Sequence, residues 1–111
     1  MDKRTNQAIS KYIASVADQN ANLVRAYLFG SYAKRTDRTD SDIDIALVID
    51  KLNDEEKFNL QVQLMLLASN FDIRIEPHPI SLSDFNSENP FVMEIKRTGI
   101  EIEPLAPATW Y

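Results

Sequence analysis

The stretch LFGSYAKRTDRTDSDIDIALVI, residues 28–49, decides how this chain is read. It holds Gly30-Ser31, a spacer of ten residues, and then Asp42-Ile43-Asp44 at the head of an apolar run. On a strand, side chains alternate between the two faces. Asp42 and Asp44 therefore share one face, and Ile43 and Ile45 share the other. Two hard, anionic oxygen donors side by side suit Mg²⁺, which takes oxygen ligands and often shares them with substrate phosphates. Gly30 and Ser31 close the preceding apolar run, Ala26 to Phe29. A glycine there lets the backbone approach a ligand closely. The serine adds a hydroxyl, and a helix starting at that point offers free N–H groups to a phosphate.

Each half alone has an ordinary explanation. A Gly-Ser pair commonly makes a turn, and an Asp-x-Asp commonly lies on a solvated edge. Together they are harder to explain that way. The acids stand where the sequence turns strongly apolar, through Ile45, Ala46, Leu47, Val48 and Ile49. Two like charges at the mouth of a buried strand are unfavourable unless a cation neutralises them.

Gly-Ser, ten residues and Asp-x-Asp, with the flanking SDIDIAL, resemble the signature of the DNA polymerase beta-like nucleotidyltransferase superfamily. The short chain looks like its minimal, MNT-type members. The element order agrees along the whole chain, but residues 28–49 carry the resemblance specifically. One departure concerns the loop: many relatives have Gly after the Ala-Lys or Ala-Arg, where this chain has Arg35. The resemblance implies two-metal nucleotidyl transfer. Asp42 and Asp44 would hold two Mg²⁺ ions, with ATP as substrate, and Gly30 and Ser31 would hold the terminal phosphates. It also implies a partner, because MNT-type proteins are often the antitoxin half of a pair with a HEPN-domain RNase toxin. Some of them adenylylate a tyrosine on it.

Composition sets the bounds. The 111 residues suit one domain, expected over 1–103, followed by a tail over 104–111. No apolar run is long enough to span a membrane, and the start, MDKRTNQ, does not read as a secretory signal. Cysteine is absent, which excludes disulfides and thiolate metal sites and fits a cytoplasmic setting. A net charge of −5 argues against a nucleic-acid partner held by a broad basic surface. Lys34, Arg35 and Arg38 do cluster in the loop between the two halves of the motif. They are either a solvated group balanced by Asp37 and Asp40 or a contact to the nucleotide's phosphates, with Lys34 favoured for its nearness to Ser31.

Hydrophobic periodicity places the elements. Residues 3–19 read as an amphipathic helix with Ile9, Tyr12, Ile13 and Val16 on one face. Strands are expected over 23–29 and 43–49, with a short helix from Ser31 to Arg35. Residues 55–69 read as a buried helix. Residues 72–76 alternate as a half-buried strand, and Pro77 and Pro79 force an extended exit around His78. Helix starts are expected at Ser83-Asp84 and Asn89-Pro90, the last helix ending at Gly99. Ile100 and Ile102 add a short extended piece. The fold class is α/β of the α+β kind, a small mixed sheet with helices packed on one side. The polymerase beta-like topology is what the resemblance implies.

Relatives use a third acid on the strand beside Asp-x-Asp. Asp72 and Glu76 are the candidates, roughly 13 Å apart along a strand. Glu76 is favoured because it follows Ile73 and Ile75, whereas Asp72 sits where the helix has barely ended. It would ligate an ion or take a proton. His78, with no carboxylate partner nearby in sequence, is expected to serve structure. Three functions compete. The first moves AMP from ATP to a hydroxyl of a protein partner, met through Trp110-Tyr111 and the last helix (Phe91, Ile95). The second is a contact-only antitoxin or scaffold. The third is a transferase acting on a small molecule such as an antibiotic. An intact Asp42-x-Asp44 favours the first.

Overall fold

The computed structural model describes residues 3–30 and 42–103. The expected helix from Ser31 to Arg35, the basic loop and the tail lie outside the described residues. The elements run α1 (Lys3–Gln19), β1 (Leu23–Phe29), β2 (Ile43–Ile49), α2 (Asp54–Ala68), β3 (Ile75–Ser81), α3 (Leu82–Phe85), α4 (Pro90–Thr98) and β4 (Ile100–Ile102). The strands form one mixed sheet in the order β3-β2-β1-β4. β1 runs antiparallel to β2 and β4, and β2 runs parallel to β3.

β2 is central because it is apolar on both faces. Ile43, Ile45, Leu47 and Ile49 meet Ile9, Tyr12, Ile13 and Val16 of α1 and Leu64 and Ala68 of α2. Each fully buried Ile or Leu there contributes about 1.5–3 kcal/mol. Tyr12 ties the two helices: its hydroxyl donates to the Leu64 carbonyl at 2.9 Å, and burial pushes the phenol well above its ordinary value. Ala46 and Val48 face the other way, with Tyr27 and Ile80, against Phe85, Val92 and Ile95. The mixed α+β sheet is as expected. Helices on one side describe only α1 and α2, since α3 and α4 cover part of the opposite face. A strand buried on both faces requires that second cover.

Local chemistry sets the element ends. The Asn53 side chain accepts from the Glu56 N–H and starts α2, one residue ahead of the expected bound. Ser81 caps α3, and Asn89 caps α4 with Pro90 in its first turn. Gly99 ends α4 in extended rather than left-handed backbone. A Cβ there would stand 2.6 Å from the Ile95 carbonyl oxygen, so close approach is its role. The burial expected of α2 is corrected. Only Leu64 and Ala68 are fully buried, because one helix face suffices to cover the sheet.

The third strand is also displaced. It spans Ile75–Ser81 rather than 72–76 and passes straight through both prolines. β3 is an edge strand, where proline is tolerated if its nitrogen faces away from the ladder. The Pro77 carbonyl, which points to the same side as its nitrogen, accepts from Gln61 Nε2 at 2.6 Å. Among the described residues, no helix is long and apolar enough to cross a membrane.

Candidate active site

Antiparallel pairing sets Phe29 opposite Asp44, so the chain leaving β1 turns directly over that carboxylate. The turn is made by Gly30 at φ +77°, a conformation that side chains disfavour. A Cβ on Gly30 would lie 2.5 Å from Asp44 Oδ2. Only a glycine permits this approach. The residues that follow it, Ser31 and Lys34 among them, lie outside the described ones.

The other side of Asp44 is built by β3. Parallel register places Glu76 beside Asp44 and His78 beside Ala46. His78 Nε2 stands 3.0 Å from Asp44 Oδ1. An ionised carboxylate only accepts, so the imidazole is the donor. Phe29 packs T-shaped against the ring and Phe91 tilted against it, with centroids 5.1 and 6.4 Å away. Asp42 precedes Asp44 by one strand period, and Ile43 and Ile45 between and beyond them are sealed against α1 and α2. The Glu76 carboxyl is held above its ordinary value. A side-chain hydrogen bond with Asp42 is the main cause, followed by burial and by the charges of Asp42 and Asp44, while His78 acts in the opposite sense.

Three carboxylates thus crowd one end of the sheet, with a single imidazole against them. Hard oxygen donors under mutual repulsion fit a divalent cation. Among the described residues, no group of three or more His, Cys, Asp or Glu side chains is arranged to hold a metal ion. Mg²⁺ needs only one or two protein carboxylates and completes its shell with water and phosphate oxygens.

Of the two candidates for a third acid, the structure brings Glu76 to Asp42 and leaves Asp72 elsewhere. Asp72 bonds Arg74 through both oxygens, at 3.1 and 2.8 Å, and its Oδ1 also accepts the Arg74 N–H at 2.9 Å. The Arg74 hydrogen bond and charge hold the Asp72 carboxyl below its ordinary value. Arg74 then reaches Thr5 of α1. Asp72 therefore fixes the turn into β3. His78, expected to serve structure for want of a carboxylate nearby in sequence, meets Asp44 across the sheet. The available signal was the alternation Ile75, Pro77, Pro79 against Glu76, His78, which continues the strand through both prolines.

A left-handed glycine lies against one carboxylate of an Asp-x-Asp, and an acid stands beside it on the neighbouring parallel strand. The chain belongs to the polymerase beta family of nucleotidyltransferases, whose model (Polymerase beta, Nucleotidyltransferase) matches residues 11–103. Solved structures share the fold. A Sulfolobus solfataricus protein proposed to be a nucleotidyltransferase is 20% identical with a TM-score of 0.57, covering 91% of this chain and 87% of its own; at that identity it speaks for the fold alone. A toxin–antitoxin crystallised with AMP-PNP is 26% identical with a TM-score of 0.58, covering 83% and 70%. A mutant of the toxin–antitoxin MntA-HpeT is 27% identical with a TM-score of 0.60, covering 86% and 71%. Comparison with proteins of curated function gave no match.

Proposed function

We propose that this protein is a Mg²⁺-dependent transferase that moves AMP from ATP to a hydroxyl of a protein partner, as the antitoxin of a HEPN-type toxin. The crowding of Asp42, Asp44 and Glu76 against Gly30 carries the reading. The toxin–antitoxin neighbours support a protein partner, and the AMP-PNP of one supports an adenine nucleotide. Freedom from cysteine suits the cytoplasm, where the reaction would run.

Asp42 and Asp44 would hold the cations, and Glu76 would join them once it swings away from Asp42. Two bound Mg²⁺ would neutralise the triphosphate and lower the pKa of the attacking hydroxyl. Gly30 and Ser31 would receive the terminal phosphates through backbone N–H groups and the serine hydroxyl, with Lys34 adding positive charge. His78 keeps Asp44 in one orientation by holding Oδ1. In place of ligating a cation, Glu76 could instead accept the acceptor's proton. The acceptor oxygen then bonds the α-phosphorus in line, the bond to the β-phosphate's bridging oxygen breaks, and pyrophosphate leaves.

The test is incubation of the chain with labelled ATP, Mg²⁺ and the purified protein encoded beside it. The expected product is that protein heavier by one nucleoside monophosphate at a hydroxyl residue. Full neutralisation of the toxin by an Asp42→Asn/Asp44→Asn variant, with no mass gained by wild type, overturns the enzyme in favour of contact alone.

A further inference from the structure

Four large side chains of α2 face solvent, with Phe58 74%, Val62 41%, Met65 48% and Leu66 66% exposed. Their spacing of i, i+4, i+7 and i+8 puts them on one side of the helix. Leu64 and Ala68, on the other side, seat α2 on the sheet. Four large apolar side chains exposed along one helix side make a contiguous patch of the kind that marks an interaction site. Of the surface first expected to meet a partner, Ile95 is buried in the core, Phe91 is 47% exposed while touching Phe29 and His78, and Trp110-Tyr111 lie outside the described residues.

The stripe is charged at one end only. Asp54, Glu55 and Glu56 fill the first turn, the last turn has no basic residue, and Lys57 is the sole cation of the helix. A second copy fits this poorly. Antiparallel pairing sets each acidic turn against the other helix's carbonyl end, where the dipole is negative. Parallel pairing sets acid against acid, and each copy carries a net −5. An apolar helix with basic side chains at one end meets both features.

The stripe also adjoins the site. At about 100° per residue, Gln61 falls between the buried seam and the exposed stripe. Lys57 and Gln61 line a cleft of about 180 Å³ that they share with His78, Asn89 and Phe91. A protein seated on the stripe therefore has its edge at the cleft mouth, two strand positions from Glu76.

We propose that this face of α2 docks an amphipathic helix of the acceptor protein. Its apolar side chains would cover Phe58, Val62, Met65 and Leu66, and its Lys or Arg side chains would lie beside Asp54 and Glu55. The proposal rests on the transferase reading and adds the surface that brings the acceptor hydroxyl to the carboxylates.

The probe is the protein encoded beside this chain, titrated calorimetrically in the absence of nucleotide. Phe58→Gln/Leu66→Gln weakens its binding about thirtyfold or more, as buried apolar anchors do. Asp54→Asn/Glu55→Gln weakens it about threefold to tenfold and flattens its salt dependence. Circular dichroism and Mg²⁺–ATP binding stay at wild-type values in the first variant, because those side chains touch neither core nor carboxylates. Unchanged affinity in that variant overturns the docking surface, and the transferase reading still stands if the partner gains nucleotide. Lost affinity with no nucleotide ever transferred by wild type supports the surface and overturns the transferase. A wild-type chain that binds no such protein, or that sediments as a dimer which the first variant dissociates, overturns the proposal.

Discussion

Replacing Gly30 with alanine tests the geometry of the carboxylate end most directly. Two costs arise. A left-handed alanine costs about 1–2 kcal/mol. Its Cβ also meets Asp44 Oδ2 at 2.5 Å, so the carboxylate must retreat and lose its hydrogen bond from His78 or leave its rotamer. That adds about 1 kcal/mol. The stiffer unfolded chain offsets about 0.4–1 kcal/mol. The net loss is about 2 kcal/mol. With 111 residues unfolding at about 2.1 cal/mol/K each, Tm falls by about 8 °C. Displacing the carboxylate by about 1 Å should also cost about a hundredfold in transfer rate. Thermal unfolding followed by circular dichroism gives the first quantity. A double-mutant cycle with Asp44→Ala isolates the clash, because removing the carboxylate removes its partner. The expected coupling is about 1 kcal/mol. Zero coupling, or a Gly30→Ala variant melting with wild type, refutes the argument that Gly30 exists to clear Asp44.

Three further outcomes follow from the same geometry. Asp42→Asn/Asp44→Asn should abolish Mn²⁺ binding in calorimetry while leaving the fold intact or slightly more stable, since like-charge repulsion is relieved. Glu76→Gln should raise stability at neutral pH by about 1 kcal/mol, whereas Asp72→Asn should lower it by about 2 kcal/mol. The signs differ with pH, as denaturant titrations at several pH values would show. Glu76's raised pKa gives stability that is present below the unfolded value and lost as pH rises through the folded one. Asp72's depressed pKa gives stability present above the unfolded value and lost as pH falls through the folded one. Tyr12→Phe should cost about 1 kcal/mol through the Leu64 carbonyl, and wild type should lose stability in strong alkali as Tyr12 ionises, a loss absent from the variant.

What the sequence disclosed depended on whether local pattern and tertiary cause agreed. α1, β1 and β2 have the expected bounds because their apolar periods are the faces they bury. The alternation over 72–76 misled, since Asp72 uses its side chain to bond Arg74 and converts that stretch into a turn. Pro77 and Pro79 suggested an exit where the chain instead forms an edge strand, and whether a strand is an edge cannot be seen before the sheet order is known. His78 was hidden for the same reason. Its carboxylate partner is 34 residues away and becomes a neighbour only through the β2–β3 register. The exposure of half of α2's apolar side chains escaped because apolar residues occupy both its sheet side and its outer side, so periodicity does not tell which side is buried. Gly30 meets Asp44 across the β1–β2 pair, and Asp42 lies one strand period before Asp44, so that placement needs only the two strands flanking the motif.

The two prolines of β3 have a consequence for assembly. An exposed sheet edge is ordinarily a template on which a foreign strand can grow. Here Pro77 and Pro79 withhold two donors from that edge, and Gln61 already occupies the Pro77 carbonyl. An incoming strand would find less than half a ladder. The opposite edge is β4, only three residues long. Among the described residues, both edges of the sheet are therefore poor templates for lengthening, without the closure of a barrel. Edge-to-edge stacking of crowded or heat-released chains is disfavoured, which leaves the helices as the better surfaces for lasting association.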